Sequence, residues 1–155
     1  MAIEIERKFL VDKEKWYNSS KGMGQVYKQG YVLTYPEKTI RVRIAEDKAF
    51  LTIKGKSIGA SRAEYEYSIP VKDAEELLEN FCSAVISKVR YKVKYGNHTW
   101  EVDEFLGDNA GLVLAEIELE HEEEPFDKPN WVSTEVTEDR RYFNSYLSVN
   151  PYNSW

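Results

Sequence analysis

The chain has 155 residues, 42% hydrophobic and 31% charged, which fits one soluble globular domain spanning 1–155 and excludes a disordered segment. Its net charge of −6 argues against a nucleic-acid module, because a phosphate backbone demands a basic face. A single cysteine, Cys82, excludes an internal disulfide and a cysteine zinc cluster and points to a reducing cytoplasm. The charged start has no signal-peptide core, and no apolar run approaches the ~18 residues of a membrane span.

The dominant period is two, the signature of strands. Alternation predicts eight of them, over 2–11, 27–34, 39–46, 48–55, 62–70, 86–95, 98–106 and 111–121. Hairpin turns are expected at 45–48 and 95–98, and a longer glycine-bearing loop at 55–61. Three segments read as helical: 12–18, 73–82 and 137–149. In the second, Ala74, Leu77, Leu78, Phe81 and Cys82 recur at helical spacing, and Asp73 with Glu76 forms a capping-box pattern. The stretch 122–130, with Pro125 and Pro129, reads as a loop. The expected class is mainly β, an antiparallel sheet with helices outside it.

The polar strand faces are charged rather than mixed. Glu4, Glu6 and Lys8 share a face, as do Arg41 with Arg43, Thr52 with Lys54, and Arg62 with Glu64 and Glu66. So do Lys88, Arg90, Lys92 and Lys94, Glu101 with Asp103, and Glu116, Glu118 and Glu120. At ~3.3 Å per residue, like charges then stand about 7 Å apart, an unfavourable grouping that a merely solvated face has no reason to keep. A flat sheet with its charges to water remains compatible with the periodicity. A curled sheet would instead turn these faces into one cavity, in which paired carboxylates suit a hard divalent cation and clustered Arg and Lys suit phosphate oxygens.

Glu4-Ile-Glu6-Arg-Lys8 resembles the Glu-x-Glu-x-Lys signature of the CYTH proteins, or triphosphate tunnel metalloenzymes. Eight further blocks resemble the same family in order: Gln29-Gly-Tyr31, Arg41-Val-Arg43, Leu51-Thr-Ile-Lys54, Arg62-Ala-Glu64-Tyr-Glu66, Lys88-Val-Arg90-Tyr91, Glu101-Val-Asp103-Glu-Phe105, Ala115-Glu-Ile-Glu118 and 135–142. The short bacterial branch is the most similar. The resemblance implies a closed, eight-stranded antiparallel β-barrel with flanking helices, whose lumen binds a triphosphate with Mg²⁺ or Mn²⁺.

Carried over residue by residue, it implies metal carboxylates at Glu4, Glu6, Glu116 and Glu118. Glu64, Glu66 and Asp103 are second contributors, or else orient the basic residues through ion pairs. The phosphate cradle falls on Lys8, Arg41, Arg43, Lys54 and Arg90, with Lys88 and Arg141 as additions. Lys8 and Tyr31 are implied as a dyad assisting the attacking water. Arg62 could serve either role, and Lys92, Lys94, Glu101 and Glu120 are expected near solvent. His98 and His121 have no partner at ligand spacing, and Cys82, Trp131 and Trp155 read as packing.

The leading expectation is an inorganic triphosphatase acting on the terminal phosphoryl group. Its alternatives are an adenylate cyclase making cAMP from ATP, a thiamine or nucleoside triphosphatase, and a non-enzymatic polyphosphate binder. No P-loop or Rossmann glycine pattern occurs. A small-molecule substrate is expected, without nucleic acid or membrane, and exposed aromatics could support a homodimer. The same-face strand charges comprise nine acidic and nine basic residues, so the whole −6 lies elsewhere and leaves room for a short polyanion inside.

Overall fold

The computed structural model describes residues 2–155. Its strands are β1 (Ile3–Val11), β2 (Gln25–Tyr35), β3 (Lys38–Ala45), β4 (Lys48–Gly55), β5 (Ser61–Ile69), β6 (Val85–Tyr95), β7 (His98–Phe105), β8 (Val113–Glu118) and β9 (Val132–Glu135). The helices are α1 (Lys13–Tyr17), α2 (Val71–Phe81) and α3 (Asn144–Val149). Neighbouring strands run in the order β5-β4-β3-β2-β6-β7-β8-β1, and a further antiparallel pairing of β1 with β5 closes the ring. The flat sheet is thereby ruled out. β1 is the closing strand: it gives one edge to β8 and the N-terminal half of the other to β5, with Glu4 opposite Arg62.

Closure puts the apolar strand faces outside, where other segments cover them. Phe9, Trp16, Trp100 and Trp131 form one buried cluster, with edge-on ring contacts such as Trp16–Trp131 at 5.0 Å and Phe9–Trp100 at 5.5 Å. On another side α2 buries Ala74 and Leu78 against Val42 and Ala49. It approaches β2 so closely that a Cβ at Gly30 would stand 2.9 Å from Cys82 Cβ and 3.0 Å from Leu78 Cδ2. Glycine is therefore the residue that fits there, and Cys82 packs as expected.

The inner strand faces change character along the barrel. The faces that carry Lys8, Lys88, Asp103 and Glu116 continue as Leu10, Ile86, Phe105, Leu114 and Leu112, which are packed together with Val136, Tyr142 and Leu147. The C-terminal segment thus builds an apolar plug at one end of the barrel and leaves the charged part above it.

Several elements differ from expectation. Helix α2 begins at Val71 with Pro70 as its N-cap, so Asp73 lies in the first turn and forms no capping box. Proline suits that place because its fixed φ is extended and its missing N–H costs nothing there. Segment 137–149 is not one helix. A short 3₁₀ turn, Arg140–Tyr142, is capped by Asp139, and extended backbone at Phe143 separates it from α3. Strand β9, absent from the expected set, pairs with β1 at Phe9 and Val11 beyond the end of β5. β8 stops at Glu118, three residues short of the expected end. Both hairpin turns appear where expected, with Glu46 at φ 57° and Gly96 at φ 61°. Among the described residues no helix is long and apolar enough to cross a membrane.

Candidate functional site

The lumen is a cavity of about 310 Å³, and charged side chains make up more than half of its lining. Register is what assembles it. On the inner face Lys8 stands opposite Glu116, Glu6 opposite Glu118, Glu116 opposite Glu101, Arg90 opposite Asp103, and Lys54 opposite Glu64. Each cross-strand step places side chains within reach of one another, so charges that are distant in sequence converge.

The carboxylates of the lumen wall are Glu4, Glu6, Glu64, Glu66, Glu101, Glu116 and Glu118, and its cations are Lys8, Arg41, Arg43, Lys54, Arg62, Lys88 and Arg90. Lys54 Nζ lies 3.0 Å from Glu4 Oε1 and 3.1 Å from Glu64 Oε2. Arg41 Nη2 donates to Thr52 Oγ1 at 3.2 Å and stands 3.8 Å from Glu66. Lys8 Nζ donates to the Tyr142 carbonyl at 3.0 Å and lies 3.9 Å from Glu116.

The electrostatics separate the carboxylates. Glu6 is pushed well above the usual carboxylate range, first by burial and then by Glu116 and Glu4 beside it. Burial also opposes ionisation of Glu116, but Lys8 and Arg90 outweigh it and hold that group at about 2. Glu4 is lowered because Lys54 overcomes its burial. Glu118 is raised by burial and by Glu4 and Glu101. Glu6 is thus a buried carboxyl crowded by its own kind, which is where a cation would be stabilising.

The basic residues show the mirror image. Arg43 falls to about 10 through burial and the nearby Arg41 and Arg90. Lys88 falls to about 7, mainly by burial, although Asp103 lies 2.8 Å away. Asp103 opposes that fall, while Arg90 and Arg43 add to it; Arg90 also holds Asp103 with two bonds, at 2.7 and 2.9 Å, so one carboxylate serves two cations. The Arg41 Nε is buried and has no hydrogen-bond partner among the described residues.

Most expected site residues therefore meet in the lumen, and two placements, those of Arg141 and Glu101, need correction. Asp103 lies off the cavity wall, 0% exposed and ion-paired with Arg90 and Lys88, as the second of its two expected placements has it. Arg141 stays outside, exposed and paired with Asp139 at 2.7 Å, because the break at Phe143 keeps its turn off the lumen. Glu101, expected near solvent, lines the lumen and holds Arg90 Nη1 at 3.1 Å. Lys8 and Tyr31 both line the lumen, each bonded to another group: Lys8 donates to the Tyr142 carbonyl, and the Tyr31 hydroxyl accepts from Gln29 Nε2 at 3.3 Å.

Arg62 lines the lumen and donates to the Gly55 carbonyl at 3.1 Å. Lys92, Lys94 and Glu120 are exposed, as expected. His98 has a partner after all, Glu124, outside the lumen wall. Trp131 and Trp155 pack on aromatic neighbours. Sequence reasoning gave no site role to Gln29 and Thr52, which bond to Arg43 and Arg41, or to Thr39, Phe143, Asn144 and Ser145, which line the lumen. The strand residues among them share the inner parity, and Gln29 also falls in one of the family blocks. The last three come from the C-terminal segment, where no strand alternation applies.

The site is a closed antiparallel barrel whose lumen gathers arginines and lysines among carboxylates. The CYTH domain model matches residues 2–148. The chain belongs to the CYTH domain family. It is 51% identical over 156 residues to an inorganic triphosphatase of Acetivibrio thermocellus, covering 100% of this chain and 99% of the relative. It is 36% identical over 151 residues to an inorganic triphosphatase of Nitrosomonas europaea, covering 94% and 97%. A solved inorganic triphosphatase superposes with a TM-score of 0.66 at 33% identity, covering 96% of each chain.

Proposed function

We propose that this protein hydrolyses the terminal phosphoryl group of inorganic triphosphate in its barrel lumen, with Mg²⁺ or Mn²⁺. The observation that carries the reading is the lumen wall, where Lys8, Arg41, Arg43, Lys54, Arg62, Lys88 and Arg90 are gathered beside carboxylates and the buried Arg41 Nε has no hydrogen-bond partner among the described residues. A phosphate oxygen satisfies that donor, and a guanidinium binds it with fixed geometry. Both names of the relatives agree with this reading.

The carboxylates fit a metal of this kind. Among the described residues no three carboxylate, His or Cys side chains stand ready as a closed ligand cage. Mg²⁺ does not need one, since it is commonly held by one or two carboxylates together with substrate phosphates and water. Glu4, Glu6, Glu116 and Glu118 would hold it, and the crowding at Glu6 favours its arrival. Bound there, the metal supplies charge neutralisation and polarisation of the phosphate. The chain's own part is positioning: Arg41, Arg43, Lys54, Lys88 and Arg90 clamp the phosphate oxygens, and Asp103 and Glu101 hold Arg90 in line.

A compact inorganic substrate is favoured over ATP. Both relatives' names point to the inorganic substrate. Two of the four aromatic rings lining the lumen carry cations, Tyr27 under Arg43 at 5.0 Å and Arg90 at 4.9 Å, and Phe143 under Lys8 at 5.3 Å and Arg62 at 5.9 Å. We place the protein in the cytoplasm on its unpaired Cys82. A second copy would pack on the uncovered outer face of Ile3, Ile53, Tyr65 and Tyr67.

The test incubates purified protein with tripolyphosphate or ATP and either metal, then measures orthophosphate, pyrophosphate and cAMP. Orthophosphate from tripolyphosphate is expected, lost in Glu4→Ala and Glu6→Ala while circular dichroism shows an intact fold. Cyclic AMP with little orthophosphate would instead make it a cyclase.

A further inference from the structure

Beneath the phosphate cradle lies a hydrogen-bonded chain that joins the C-terminal helix to two of its cations. Gln29 Oε1 accepts from Arg43 Nε at 2.9 Å, and Gln29 Nε2 donates to Asn144 Oδ1 at 3.1 Å. The same Asn144 oxygen accepts from Lys88 Nζ at 2.9 Å. Gln29 is 0% exposed and Lys88 1%.

The direction of this chain follows from chemistry. Arg43 and Lys88 have donors only, so the groups facing them must be oxygens. That orients both amides, and the Gln29 nitrogen then has to point at the Asn144 oxygen. It also points at the Tyr31 oxygen, 3.3 Å away, which leaves the phenolic proton free for another acceptor. Neither amide carries charge, so the chain holds the two cations in place without neutralising them. A carboxylate at either place would compete with phosphate for the cation. Asp103 shows the contrast, since it compensates Arg90 and Lys88 with a full charge from below.

We propose that Gln29 and Asn144 act as a coupled pair of positioning residues, which fix Arg43 and Lys88 in the orientation that receives the substrate's phosphate oxygens. The inference rests on the triphosphatase reading given above. The pair also makes cradle geometry depend on the seating of α3. No other residue of α3 bonds to a cradle cation through its side chain among the described residues.

The test is a double-mutant cycle on phosphate release from tripolyphosphate with Mg²⁺. Gln29→Met and Asn144→Leu keep the volume and remove the polar atoms. Each is expected to raise KM about tenfold, the effect of losing one hydrogen bond to a charged group. Because the two act through one chain, the double variant should also stand near tenfold rather than about a hundredfold. Should Asn144→Leu fail to fold, Asn144→Ala takes its place.

Calorimetric binding of tripolyphosphate to the same four proteins, in the absence of turnover, gives the parallel comparison. If the parent releases no orthophosphate, the function reading fails and the binding cycle still decides this one. A hundredfold loss in the double variant would overturn the coupling. Parental KM and affinity with only a lowered melting temperature would overturn the positioning role.

Discussion

Asp103→Asn is the substitution whose consequence is most closely fixed by geometry. The carboxylate is 0% exposed and makes bonds of 2.7 and 2.9 Å to Arg90 and one of 2.8 Å to Lys88. The amide keeps the volume and loses the charge, leaving the buried Lys88 without its carboxylate partner and Arg90 with Glu101 alone. Removing one partner of a buried ion pair costs about 3–5 kcal/mol. For a domain of this size each kcal/mol moves Tm by about 2–4 °C, so a drop of roughly 10 °C is expected.

The pH dependence has a definite sign. Burial opposes ionisation of Asp103, yet Arg90 and Lys88 hold it below its ordinary 3.8. Its contribution is therefore present above the unfolded value and is lost as pH falls through the folded one. The variant lacks that acid-labile share, so its stability should fall less steeply on acidification below pH ~4. Lys88 acts in the opposite range. Its folded value of about 7 lies below the ordinary 10.5, so stability rises between those two values as the buried ammonium is relieved of its proton. Losing Asp103 lowers Lys88 further, so the deficit of the variant should shrink from pH 6 to pH 9. Thermal unfolding by circular dichroism over that range reads both effects. A Tm within about 2 °C of the parent at pH 6 would refute the assignment of Asp103 as the shared counter-ion.

Arg41→Lys keeps the charge and removes the unpartnered Nε and the planar fork; kcat/KM for tripolyphosphate should fall about 10²–10³-fold, with Tm nearly unchanged. A decrease of less than threefold would show that the buried donor is not used. Arg141→Ala should leave both KM and kcat within about twofold, because its guanidinium pairs with Asp139 outside the lumen. A tenfold rise in KM would return Arg141 to the cradle.

The fold was legible because the alternation was so pure. An inner face of Glu4, Glu6 and Lys8, or of Lys88 and Arg90, has only two physical homes, water or a charged lumen, and same-sign grouping favours the second. Closure itself was not in the periodicity. It rests on β1 sharing its two edges, with Glu4 opposite Arg62 and Glu6 opposite Glu118, which is a matter of register.

What parity could not show was depth. Leu10, Leu112 and Leu114 have the same parity as Lys8 and Glu116, yet they form the plug. Asp103 has the same parity as Glu101, yet one lies under the cradle and the other on the lumen wall. Arg141 was carried over from the family block 135–142, but Asp139 captures its backbone N–H and its guanidinium and holds it outside the lumen. Strand β9 escaped because four residues are too few to establish a period. Gln29 and Asn144 carry no charge, so neither stood out beside eighteen charged neighbours on the strand faces.

The most direct measurement is a crystal structure grown with tripolyphosphate and Mn²⁺ under conditions that prevent turnover, read at the manganese absorption edge. The expected result is an anomalous peak in the lumen, beside Glu6 and Glu116 and in contact with the phosphate chain. One phosphate oxygen should lie within hydrogen-bond distance of Arg41 Nε. Manganese and phosphate found only outside the barrel, or a phosphate chain in the lumen that leaves Arg41 Nε and Glu6 untouched, would contradict a lumenal metal-triphosphate site.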